Sequence, residues 1–201
     1  MNRRNFLHKS ALTAAGFGMA PLFGSSFQSV YGQTAPSNKV KVALIGCRSM
    51  GWSDLNTFLQ YPEVECVALC DVDDEWLNKR AADVLKNTGK KVPSLYKDWR
   101  KVIDNKDVDV VIIGTPDHWH CLPMVYACQA GKDVYVEKPL ANTIEECNLM
   151  EKAARKYNRI VQVGQWQRSD PHWQDAMQFV HSGKLGKIRT VRVFSYQGWC
   201  P

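Results

Sequence analysis

Lys138 stands in Glu137-Lys138-Pro139, directly after the apolar run Val134-Tyr135-Val136, which reads as a strand. An amine held at the end of such a strand can act as general acid or base on a substrate hydroxyl. Spacing alone also fits a plainer reading, a solvated Glu–Lys pair ahead of a proline turn whose X-Pro bond is open to the cis form. A second constellation gives the lysine a context. Gly46-Cys47-Arg48-Ser49-Met50-Gly51 ends another apolar run, Val40, Val42 and Leu44, and Asp71 follows twenty positions past the last glycine. Glycine at 46 lets the chain leave a strand in a tight turn, and glycine at 51 lets the ensuing helix lie close to a sheet. The helix N-terminus then offers N–H groups and partial positive charge to a pyrophosphate, and Asp71 can accept hydrogen bonds from ribose hydroxyls. Those are the dimensions of a dinucleotide-binding fingerprint. Arg48 departs from it: the middle position is usually a glycine that lets the backbone approach the phosphates, and here bulk opposes that approach while charge could help to hold phosphate.

These residues need elements to carry them. The pattern predicts strands at Val40–Leu44, Val64–Leu69, Val92–Tyr96, Val108–Ile113, Val134–Val136 and Ile160–Val163. Helices are expected through Leu55 and Leu59, over Asp73–Thr88 and Asp98–Asn105, from Leu122 to Ala130, from Thr143 to Tyr157 with Glu146 completing a capping box, and over Pro171–Ser182. Strand and helix alternate, so the expected fold is α/β, a doubly wound parallel sheet of the Rossmann type. In such sheets ligands bind beyond the carboxyl ends of the strands, near the switch point. Gly46, Asp71, Thr115, Lys138 and Gln165 all fall at or just past those ends. Ile188–Tyr196 alternates apolar and polar and reads as the first strand of a second, half-exposed sheet. A lone strand cannot bury its apolar face, so the chain is expected to be the front portion of a longer protein. The expected divisions are 1–32, 39–165 and an incomplete second α/β domain from 166 to 201.

The chain carries 26 basic and 20 acidic residues, a formal charge of +6. Arg3, Arg4 and Lys9 precede any acid, and taking those three from 26 leaves 23 against 20. That balance holds no basic block of the kind that binds nucleic acid. Asn2-Arg3-Arg4-Asn5-Phe6-Leu7-His8-Lys9 resembles a twin-arginine export signal, with cleavage expected after Gly32 and a periplasmic destination. Gly16, Gly18 and Pro21 make the stretch behind it a poor membrane span. Seven cysteines without a CxxC pair read as buried free thiols rather than a disulfide framework. His118, His120, Cys121 and Cys128 lack the spacing of a metal site, and none is expected. Trp166, Trp173 and Trp199 read as packing residues rather than a stacking platform.

Taken together, IGCRSMG, CDVD, TPDHWH, AGKDVYVEKPLA and VGQWQRSDP resemble the Gfo/Idh/MocA oxidoreductase family over residues 39 to 201. The resemblance implies a Rossmann domain that binds NAD, with NADP possible, ahead of an α/β substrate domain. It implies that Gly46, Arg48, Ser49, Met50 and Gly51 form the phosphate loop, with Asp71 on the ribose. Thr115, Pro116, His120, Glu137 and Gln165 would line the cofactor, Lys138 would be the catalytic lysine, and Lys138, Gln165 and Arg168 would meet the substrate. A sugar or polyol substrate and a homo-oligomer are implied. So are two other outcomes: a relative that uses NAD transiently to break a glycosidic bond, or a non-catalytic nucleotide-binding protein. Asp71 favours NAD, because a carboxylate repels a 2′-phosphate, and Arg48 weakens that preference.

Overall fold

The computed structural model describes residues 39–89 and 91–194. Six strands, β1 (Val40–Ile45), β2 (Val64–Cys70), β3 (Ser94–Tyr96), β4 (Val110–Ile113), β5 (Asp133–Glu137) and β6 (Val161–Gly164), form one sheet in the order β3-β2-β1-β4-β5-β6. Every neighbouring pair is parallel. The helices are α1 (Ser49–Phe58), α2 (Asp74–Thr88), α3 (Trp99–Asp104), α4 (Cys121–Gln129), α5 (Ile144–Lys156) and α6 (Pro171–His181). Strand order reverses between β1 and β4, so the switch point lies between the strands that lead into the glycine loop and into Thr115.

Both faces of the sheet are covered, which is why its strands read as nearly continuous apolar runs. Alternation along β1 divides the core. Val42 and Leu44 meet Leu55 of α1 and Leu77, Ala81 and Val84 of α2 on one face. Ala43 and Ile45 meet Val102 of α3, Met124 of α4 and Met150 of α5 on the other. Leu77, Ala81 and Val84 fall at i, i+4 and i+7, one stripe of a helix. Helix starts are set locally. Asp73 accepts from the N–H groups of Glu75 and Trp76, Asp98 accepts from Arg100 N–H, and Thr143 and Glu146 form the expected capping box.

Boundaries follow the sequence pattern closely, with β3 shortened because Pro93, at its start, has no N–H for the ladder. Two readings need correction. Residues 188–194 form no strand, since the described residues supply no neighbour for them to pair with; Tyr196 lies outside the described residues. Trp166 and Trp173 are exposed rather than packed, because α6 touches little beyond the one-turn helix Trp166–Ser169 before it. Trp199 and the twin-arginine segment also lie outside the described residues. Six described cysteines, at 47, 66, 70, 121, 128 and 147, are free thiols, and the first five are buried. Burial pushes the thiols of Cys66 and Cys70 up to about 12, so they are unreactive. Among the described residues no helix is long and apolar enough to cross a membrane.

Leu55 is fully buried where α1 meets the sheet. Leu55→Ala is expected to lower unfolding stability by about 2–5 kcal/mol in urea titrations, the usual cost of such a cavity.

Candidate functional site: a dinucleotide cradle and a lysine loop

The glycine loop is held by contacts that admit no side chain. Gly46 has φ +89°, and a Cβ there would stand 2.7 Å from the backbone of Gly114 and Thr115. A Cβ on Gly51 would lie 2.2 Å from the Gly46 carbonyl oxygen, and one on Gly114 would lie 2.3 Å from Gly51 Cα. Gly46, Gly51 and Gly114 thus interlock, and the amino end of α1 is drawn onto the carboxyl end of β4. Gly114 was legible only as the end of a strand.

The peptide units at Cys47 are fixed on both sides. Asp71 Oδ2 accepts from Cys47 N–H at 2.7 Å, while Arg80 Nε of α2 donates to the Cys47 carbonyl at 3.2 Å. Asp71 Oδ1 accepts from Asp73 N–H at 2.9 Å. The acid expected to grip a ribose therefore also ties the loop to β2 and the start of α2. Each carboxylate oxygen keeps a further lone pair, so a ribose hydroxyl can still donate to it. The Arg48 guanidinium lies 5.1 Å from the centre of the Trp76 ring, and Arg80 stands over Trp76 and Trp52 at 5.0 and 4.5 Å. No side chain caps the start of α1 and no acid stands in its first turn, which suits an anion at its N-terminus.

A cavity of about 620 Å³ opens here, with Gly46, Arg48, Asp71, Thr115 and Pro116 on its wall. Asp98 before α3, Trp99 at its start and His118 in the β4–α4 connection also line the wall, and nothing in the sequence signals that these three would meet there. A second cavity, of about 580 Å³, lies at the amino ends of the strands beside Asp109, Lys132 and Asp133 and shares none of these features. The first is the one at the switch point.

His120 was expected to line the cofactor. It is 1% exposed, and its ring spans two loops, with Nδ1 2.8 Å from the Pro139 carbonyl and Nε2 2.8 Å from the Thr115 carbonyl. His118, two residues earlier, takes the place on the cavity wall. Glu137 is likewise buried, at 3% exposure, with Oε2 accepting from Lys138 N–H. Both hold the lysine loop in place through these contacts. Lys138 itself is exposed and the Lys138–Pro139 bond is cis. Glu137 pairs in register with Gly164, and Ile113 with Val136, so Lys138 and Gln165 follow neighbouring strands at the same edge as Thr115. Lys138, Gln165 and Arg168 lie outside the wall of the cavity, as do Ser49, Met50 and Gly51.

The sequence pattern of the oxidoreductase family with an NAD-binding Rossmann fold, Gfo/Idh/MocA, matches residues 40–165. The chain belongs to that family. The domain around the glycine cradle is accordingly its NAD-binding domain. A glycosyl hydrolase family 109 protein of Shewanella baltica is 32% identical over 163 residues, covering 73% of this chain and 35% of the relative. The 1-carboxy-3-chloro-3,4-dihydroxycyclo hexa-1,5-diene dehydrogenase of Comamonas testosteroni is 31% identical over 157 residues, 78% of this chain and 38% of the relative. Among solved structures, myo-inositol 2-dehydrogenase from Lactobacillus plantarum superposes with a TM-score of 0.67 at 28% identity, covering 75% of this chain and 43% of that one. This family member thus spans little more than a third of the length of the curated relatives it matches.

The cradle meets the demands of NAD on its own geometry: glycines where a Cβ would collide, an uncapped helix start, and an acid one strand away. Gly114→Ala places a carbon against the backbone of Gly51. It is expected to weaken NADH binding at least about tenfold and to lower stability by about 1–3 kcal/mol, read by fluorescence titration and urea unfolding.

Proposed function

We propose that the full-length protein is an NAD-dependent dehydrogenase of a cyclic sugar or polyol, with Lys138 as its acid–base group. The observation that carries this reading is the meeting of cradle and lysine at one edge of the sheet. The carbonyls of Thr115 and Pro139 converge on the single buried ring of His120, which ties the Lys138 loop to the loop that closes the cradle. Bound NAD would supply a hydride acceptor or donor. The chain's own residues would do the rest. Backbone N–H groups at the start of α1 would take the pyrophosphate, Asp71 the adenosine ribose, and the exposed amine of Lys138 would exchange a proton with the substrate hydroxyl at the carbon being oxidised. Asp71 at the ribose position supports NAD over NADP.

The names of the relatives support a ring bearing adjacent hydroxyls: an inositol in one case, a dihydroxycyclohexadiene in another. The hydrolase relative supports a second reading, in which NAD is used transiently and regenerated while a glycosidic bond is broken. Residues 166–201, the expected start of the substrate domain, would bring Gln165 and Arg168 toward the substrate. Assembly as a homo-oligomer belongs to the same proposal.

Lys138→Met in the full-length protein is expected to lower kcat by about 10²–10⁴ while NADH affinity stays within a few-fold; unchanged turnover would remove the lysine from the chemistry. Absorbance at 340 nm separates the two readings. A dehydrogenase accumulates NADH in step with product, whereas a hydrolase releases free sugar with none.

Export rests on the twin-arginine start. A reporter carrying residues 1–38 is expected in the periplasmic fraction, and replacing Arg3 and Arg4 by lysine should hold it in the cytoplasm.

A further inference from the structure

Beneath the Lys138 loop lies a pair of carboxyl groups that the functional reading leaves unused. Asp54 sits one turn into α1, three residues past Gly51, and faces Glu137 at the end of β5, where Phe58 of the next helical turn packs edge-on against Tyr135, two residues before Glu137. Asp54 Oδ2 and Glu137 Oε1 are both buried, and neither has a hydrogen-bond partner among the described residues. The site is tight. A Cβ added to Gly164 on β6 would lie 2.3 Å from Glu137 Oε1 and 3.1 Å from the Tyr135 hydroxyl oxygen.

Among the described residues no basic side chain forms an ion pair with either carboxyl. α1 carries no basic residue, β4 and β6 carry no charged one, and the other acid of β5, Asp133, stands at the opposite end beside Arg159. Tyr135, between the pair and the Phe58 ring, is held neutral, its hydroxyl pushed up to about 12 by burial, Asp54 and Glu137. The Lys138 side chain is exposed, and only its backbone N–H reaches Glu137. Two buried carboxylates without a cation are stable together when one proton lies between them, since that proton supplies the missing donor and cancels one charge.

We propose that Asp54 and Glu137 share a single proton and act as a clasp, fastening the helix that receives the pyrophosphate to the strand that presents Lys138. Asp54 is then a positioning residue for the cofactor helix and the lysine loop together. When the proton leaves, like charges face each other across the joint and the two parts separate. Burial and the charge of Glu137 raise Asp54 from its ordinary 3.8 to about 7. The native protein thus holds a proton that the unfolded chain has lost between those values. The stability this contributes is complete below about pH 4 and gone as pH rises through about 7. The role at Lys138 rests on the proposed function, whereas the shared proton does not.

The test begins with the full-length protein free of cofactor, its Asp and Glu carboxyl carbons labelled with ¹³C. One carboxyl step near pH 7 is expected, absent from both Asp54→Asn and Glu137→Gln. If every carboxyl in the wild type titrates below about pH 5, or the high step survives in either variant, the shared proton is refuted. NADH affinity, read by tryptophan fluorescence, is then expected to fall several-fold between pH 6 and pH 9 in the wild type and to stay level in Asp54→Asn. An equal fall in the variant would show that the pair does not act on the cofactor helix. Absence of NADH binding at every pH would overturn the proposed function, while the carboxyl titration would still decide the shared proton.

Discussion

The site depends on one close approach, the backbone of Gly51 lying against those of Gly46 and Gly114. It brings the start of α1 to the switch point, where the helix N–H groups face the space beyond the strands. No side chain makes this contact, so its strength comes from what surrounds it. Asp71 and Arg80 hold the peptide units at Cys47 from opposite sides, and Leu55 anchors the next turn of the helix in the core. An acid whose textually obvious partner is a sugar is thus also a structural tie, and its removal would disturb the loop before any ligand arrived.

A second joint holds the loop that carries Lys138. His120 bridges two carbonyls with its two ring nitrogens, and Glu137 bonds the backbone of Lys138. Both side chains are buried, so the exposed lysine projects from a rigid base rather than from a loose loop. Phe58 of α1 packs edge-on against Tyr135 of β5, the strand that leads into Lys138. The glycine cradle and the lysine loop are therefore mechanically continuous.

Much of this was legible beforehand, and the reasons differ by residue. Gly46, Gly51 and Asp71 announce themselves because a tight turn, a close helix and a ribose acid need those types at that spacing. The strands show as apolar runs because both faces of the sheet are covered, and Thr143 with Glu146 marks a helix start that needs no tertiary information. The burial of His120 and Glu137 and the exposure of Trp173 were not legible, because spacing locates a residue along the chain and leaves its direction open. His120 and Glu137 turn inward, and Trp173 turns outward from a helix with almost no neighbour. Asp54 carried no signal of its own, since one acid on a helix is usually solvated and its partner lies far along the chain. Ile188 to Phe194 has the alternation of a strand but finds no neighbour among the described residues, and alternation without a neighbour makes no sheet.

The most direct measurement is a crystal structure of the full-length protein grown with NAD. The account predicts the pyrophosphate against the N–H groups of Ser49 to Gly51, the adenosine ribose on Asp71, and the nicotinamide ring beside Lys138. A dinucleotide lodged elsewhere, or a cradle filled by the Arg48 side chain with NAD excluded, would contradict it.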